Sequence, residues 1–145
     1  LLYKDITSDI CLPKKDVFRK NIFIFHAGAT VDPVFRRCLL DSGSHGNLIS
    51  KRALKGIRCE IKKDGGHEVW GLGIKKLLLK EFVTLRLKIW GQSEIFEVEF
   101  RVLPTGALLG FELGPRFDCL LGSEWMAAHP GAWVPRHWLE HASEG

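Results

Sequence analysis

The sequence predicts a mainly β domain with one short helix near its C-terminal end, on three observations. First, Val83, Leu85, Leu87 and Ile89 alternate with Thr84, Arg86 and Lys88, and Phe96, Val98, Phe100 and Val102 alternate with Glu97, Glu99 and Arg101. A period of two over such lengths is the signature of half-buried strands. Second, Ile22-Phe23-Ile24-Phe25 is a run of β-branched and aromatic residues closed by Gly28 and by Asp32-Pro33. Third, two apolar runs end in tight turns: Cys38-Leu39-Leu40 runs into Asp41-Ser42-Gly43, and Cys119-Leu120-Leu121 into Gly122-Ser123. With 145 residues and 46% hydrophobic content, the chain can build one core that buries about two-thirds of its surface.

Taken in order, residues 1–20 are mixed, contain Pro13 and a basic cluster, and read as a linker or an added edge strand. The domain is expected over residues 21–134. Its first strand, at Ile22–Phe25, pairs with a second over Val34–Leu40 to form a hairpin that delivers Asp41. Ser50 can then cap a short helix through Ala53 and Leu54, which Gly56 stops. Ile57, Cys59 and Ile61 alternate with Arg58, Glu60 and Lys62, which predicts a strand ending at an Asp64-Gly65-Gly66 turn. The next segment, Glu68 to Ile74, holds two glycines around Leu72, either a thin hairpin tip that approaches something closely or an ordinary bulge. The Val83–Ile89 and Phe96–Val102 strands then form an antiparallel hairpin. A four-residue loop, Gly91 to Glu94, sets Lys88 opposite Glu97, Arg86 opposite Glu99, and Ile89, Leu87 and Leu85 against Phe96, Val98 and Phe100. Thr105 to Arg116 reads as a loop. Ser123 and Glu124 start a short helix that Pro130 terminates, and residues 135–145 form a tail.

Chemistry points first to Asp41. A carboxylate at the end of a buried strand must be hydrogen-bonded, partnered or kept protonated, because burying it alone costs several kcal/mol or shifts its pKa. The bland alternative is that Asp41-Ser42-Gly43 is only a turn, since those residue types favour turns. His137 and His141 stand four residues apart but lack the His-Glu-x-x-His arrangement, so no metal site is expected.

Composition narrows the classes further. The chain begins at Leu1 rather than Met, which suggests a piece of a longer polypeptide, and no apolar run approaches membrane-spanning length. The cysteines at 11, 38, 59 and 119 show no Cys-x-x-Cys spacing, which reads as buried thiols in a reducing, cytoplasmic compartment. The net charge of +4 is uneven, with 13 basic and 6 acidic side chains in residues 1–63 against 8 and 11 in the rest. Lys14, Lys15, Arg19 and Lys20 could touch nucleic acid, yet their segment, with Phe18 alone, lacks the set of stacking aromatics and Gly-rich loops that single-strand binders combine with charge, so a solvated face is expected there and nucleic acid is not the expected partner.

Leu39-Leu40-Asp41-Ser42-Gly43 resembles the apolar-apolar-Asp-Thr/Ser-Gly signature of retropepsins, the single-lobe aspartic proteases of retroviruses. The chain looks most like the protease of gypsy-type LTR retrotransposons over roughly Asn21 to Trp133. Asn47-Leu48-Ile49-Ser50 is similar to the segment that often follows in retrotransposon members, Gly71-Leu72-Gly73 resembles the flap tip, and Leu120-Leu121-Gly122 resembles the second signature. Trp125 and His129-Pro130-Gly131-Ala132-Trp133 resemble the C-terminal helix and its exit. Ser42 and Ser44 stand where the family more often has Thr and Ala, and the Thr105–Arg116 loop is longer than usual.

The resemblance implies a closed, barrel-like β lobe that works as a homodimer, cleaves a peptide or polyprotein, and needs no cofactor. Asp41 would be catalytic. Ser42, Gly43, Leu121 and Gly122 would support its loop, and Ser44, Trp70, Gly71, Leu72 and Gly73 would line the substrate. Two other classes remain open: an inactive module of the same fold used for binding or assembly, and an RNA-associated segment of a polyprotein.

Overall fold

Two parallel strands run side by side, and other described elements cover both of their faces. The computed structural model describes residues 19–28, 32–70, 76–104 and 117–134. Its strands are β1 (Arg19–Ile24), β2 (Val34–Asp41), β3 (Leu48–Ser50), β4 (Lys62–Trp70), β5 (Lys76–Ile89), β6 (Ile95–Leu103) and β7 (Cys119–Gly122). A single α-helix among the described residues, α1 (Ser123–Ala128), follows β7 without a break. The fold is mainly β, as the alternation predicts.

The strands order as β1-β2-β7-β3-β6-β5-β4, and β1 pairs with β5 as well as with β2. Six strands therefore form a closed ring, and β4 extends from the first half of β5 as an arm. β2 and β7 are parallel, with Cys38 beside Cys119, Leu39 beside Leu120, Leu40 beside Leu121 and Asp41 beside Gly122. The two Cys-Leu-Leu runs thus lie next to each other in register.

Both faces of this pair are covered. Cys38, Leu40, Cys119 and Leu121 belong to the main core inside the ring, with Ile22, Leu87, Phe100 and Trp125. Leu39 and Leu120 point the other way into a smaller cluster with Leu48, Leu103 and Phe117, where Leu79 of the arm packs. Continuous apolar runs, rather than alternating ones, are what two buried faces require.

Several local expectations change. Residues 57–61 form no strand; β4 begins at Lys62 and runs through Asp64-Gly65-Gly66, which is a bulge between Lys63 and His67 rather than a terminating turn. Gly66, at φ +98, makes the bulge possible, and a Cβ there would meet Leu78 and Lys80 side-chain carbons. The β5–β6 hairpin is shifted by two residues from the expected register: Lys88 faces Ile95, Leu87 faces Phe96 and Arg86 faces Glu97. β5 ends at Ile89, where the Gln92 N–H closes a turn back onto the Ile89 carbonyl while the Trp90 N–H stays bonded to the Asn21 carbonyl of β1. A slip of two keeps every side chain on its expected face. Ser50 caps as expected, its hydroxyl accepting the Ala53 N–H at 3.1 Å, but the turn it starts, Lys51–Leu54, is a 3-10 helix. Pro130 opens a further 3-10 turn, Pro130–Ala132, after α1 has ended. β1 begins at Arg19, two residues into the expected linker. The rest of residues 1–18, the Thr105–Arg116 loop and the His137/His141 pair lie outside the described residues.

Candidate functional site

Asp41 is the last residue of β2 and is 1% exposed. Alternation puts it on the side of Leu39 and therefore on the side of the smaller cluster that the β4–β5 arm covers. One carboxylate oxygen, Oδ1, accepts the Gly43 N–H at 2.9 Å. The other, Oδ2, is buried with no hydrogen-bond partner. Burial therefore pushes the Asp41 carboxyl above its ordinary value, against the opposing pull of the Gly43 N–H. Among the described residues no other acidic side chain is buried. The turn reading of Asp41-Ser42-Gly43 is correct as geometry, but a turn alone leaves no reason for a buried, half-satisfied carboxyl.

The loop after Asp41 is fixed by its own backbone and by β7. Ser44 N–H donates to the Asp41 carbonyl at 3.1 Å, and Ser123 N–H donates to the Ser44 carbonyl at 2.6 Å. Gly122 lies beside Asp41 so closely that a Cβ there would stand 2.5 Å from the Ser44 carbonyl and 2.9 Å from that of His45, with the Gly46 carbonyl closer still. Only glycine lets α1 begin directly beneath this loop. Leu121 is fully buried in the main core under it.

Ser42 and Gly43 are exposed, so they form the outer rim of the loop within a single chain. Ser44 turns its hydroxyl back to the Gly46 carbonyl at 2.8 Å. Trp70 is the last residue of β4, while Gly71, Leu72 and Gly73 lie outside the described residues. The structure thus brings Asp41, Ser42, Gly43, Ser44, Leu121 and Gly122 to one place.

Two further residues hold the site: Asn47, which opens the Asn47-Leu48-Ile49-Ser50 segment of the resemblance but shows no role in the linear sequence, and Arg101, which alternation places on an outward face. Asn47 accepts the Gly122 N–H on Oδ1 at 2.9 Å and donates Nδ2 to the Glu99 carbonyl at 3.1 Å, joining the Asp41 loop to both β7 and β6. Arg101 is buried on the outward side of β6 and holds both Asp64 oxygens at 2.6 Å, pinning the bulge of the arm. Its guanidinium also lies 4.9 Å over the Phe82 ring and donates to the Leu79 carbonyl. The pair holds the Asp64 carboxyl down at about 2. An outward position with a charged residue ordinarily reads as solvated; only the arm folding back buries it.

No three metal-ligating side chains cluster among the described residues, and no helix of them is long and apolar enough to cross a membrane. Chemically, a buried carboxyl with an elevated pKa and one unsatisfied oxygen can hold or exchange a proton near a substrate. No protein-family model matches this chain, and no curated protein matches it in sequence.

Proposed function

We propose that the chain is an aspartic endopeptidase of the retropepsin kind, cleaving a polyprotein of retrotransposon type through a pair of Asp41 carboxyls, one from each subunit of a homodimer. The observation that supports this reading most is the state of Asp41: buried, bonded on one oxygen by Gly43, and unpartnered on the other. A carboxyl placed so is half of a proton-sharing pair. The exposed Ser42–Gly43 rim beside it leaves the loop accessible to a second copy across a two-fold axis.

Two such carboxylates about 3 Å apart repel by roughly 5 kcal/mol at an effective dielectric near 20, equivalent to about four pKa units. The pair then retains one proton over a wide pH range, and the two macroscopic steps belong to the pair. The ionised member takes a proton from a shared water, and the protonated member polarises the scissile carbonyl. No covalent intermediate and no cofactor enter. The Asp41 side is shielded by the β4–β5 arm, so the arm lifts to admit an extended peptide and closes over it.

The test is cleavage of a peptide library by purified wild-type protein and by Asp41→Asn, with solution mass measured in parallel. Cleavage by a wild-type dimer and none by the variant is expected. Equal cleavage by both would remove the protease reading, and an inert wild type that still self-associates would favour an assembly module.

A further inference from the structure

Away from Asp41, the solvent side of β1, β2, β5 and β6 sets aromatic rings and cations in rows. Phe35 on β2 stands opposite Phe23 on β1, Phe23 opposite Lys88 on β5, and Lys88 opposite Ile95 on β6. To one side of this row Arg86 lies 5.6 Å over the Phe25 ring and faces Glu97. To the other, Trp90 is tied to Asn21, which faces Arg37. Alternation accounts for the arrangement: Ile22 and Ile24 turn into the core, so Asn21, Phe23 and Phe25 turn out. Phe35 is 48% and Trp90 68% exposed, while Phe23 holds the Lys88 ammonium at 5.9 Å.

A groove lies at each end of β1, along the same strip. The one at its start, about 260 Å³, is bordered by Arg19, Lys20, Asn21 and Arg37. The one at its end, about 330 Å³, is bordered by Phe25 and by Arg58, Lys62 and Arg86, whose charge Glu60 and Glu97 on the same lining offset only in part. Cations thus flank a row of rings at both ends.

We propose that this strip binds single-stranded nucleic acid, with bases stacking on Phe35 and Trp90 and phosphates meeting Lys88, Arg86 and the cations of the two grooves. Stacking rings on a rigid sheet combined with a positively charged track is the physical basis of sequence-tolerant single-strand binding. An apolar protein partner fits less well, because Lys88 sits in the middle of the aromatic row and would lose its water without gaining a counter-charge. A phosphate supplies that charge. The basic residues at 14–20 have a single aromatic, Phe18, in their own stretch and no Gly-rich loop, which is why linear reading discounted nucleic acid; the rings of the strip come from β1, β2 and the β5–β6 turn. This inference does not depend on the protease reading.

The test is fluorescence anisotropy with labelled single-stranded RNA and DNA of about 12 nucleotides, at several salt concentrations. Wild type should bind with an affinity that falls as salt rises, and Lys88→Gln should reduce the log–log slope by about 0.7. Phe35→Ala and Trp90→Ala should each weaken binding roughly tenfold with the slope unchanged. Lys80→Gln, on the β4–β5 arm, should leave affinity within about twofold if the track rather than overall charge is responsible. Both aromatic sites are exposed, and melting curves check that the variants remain folded. The proposal fails if the double Phe35→Ala/Trp90→Ala variant binds like wild type, if a duplex of equal length binds as tightly, if Lys80→Gln matches Lys88→Gln, or if the aromatic changes alter only self-association.

Discussion

Asp41 keeps one oxygen on the Gly43 N–H and buries the other without a partner, and this asymmetry has a measurable signature. Burial raises its pKa from the ordinary 3.8, so the folded chain holds the proton more tightly than the unfolded chain does. The favourable contribution is complete below 3.8 and is lost as pH rises through the elevated folded value. Asp41→Asn removes that titration. Its melting midpoint relative to wild type should rise between pH 3.8 and the elevated value and then level off, as thermal melts from acid to neutral pH would record. A pH-independent gap would mean that burial does not perturb the carboxyl. Beside it, Gly122→Ala should cost about 3 kcal/mol or unseat the loop, because the added carbon meets three backbone carbonyls that cannot swing away. Gly46→Ala, with nothing within 4 Å of the new Cβ, should stay within about 0.5 kcal/mol in the same denaturant titration.

The β4–β5 arm is held by the packing of Leu79 in the smaller cluster and by a charged clamp at its bulge. Arg101 is buried and its charge is answered by Asp64, whose carboxyl is held down at about 2. Because the folded value is lowered, the stabilisation is present above the ordinary 3.8 and disappears as pH falls through about 2. The clamp therefore survives moderately acidic conditions in which ordinary carboxylates lose their charge. Asp64→Asn leaves a buried guanidinium without its counter-ion. Its melting midpoint should fall by several degrees at neutral pH, the deficit should shrink towards pH 2, and hydrogen exchange should quicken in β4 and the first half of β5. Under the Asp41 loop, Leu121→Ala should cost about 2–5 kcal/mol, since Leu121 is fully buried and its neighbours belong to a closed ring that cannot collapse into the gap.

For the whole molecule, the proposed protease reading needs two copies of the one acid that is buried among the described residues, one from each of two associated chains. If activity resides in a homodimer, equimolar wild type and Asp41→Asn that exchange subunits at random should retain roughly a quarter of the activity of the same total concentration of wild type. Additive activity, half of the wild-type value, would show that each chain works alone. The mixture is read out by peptide cleavage after dissociation and reassociation.

Sequence alone determined the elements whose side chains alternate or whose turns need particular residues: β5 and β6 from their period of two, β1 from its β-branched and aromatic run, the Ser50 cap, and the Cys-Leu-Leu strand that presents Asp41. These are local properties, set by where a side chain must point and which backbone angles it accepts. Tertiary structure decided the hairpin register, because Trp90 is bonded to a strand far away in sequence, and it turned the Asp64-Gly65-Gly66 turn into a bulge held by Arg101. It also placed the two Cys-Leu-Leu runs side by side, buried the half-satisfied Asp41 carboxyl on the side of the smaller cluster, and gathered the outward aromatics and cations onto one face. Partners distant along the chain leave no periodic trace in either segment, so only the folded arrangement reveals them.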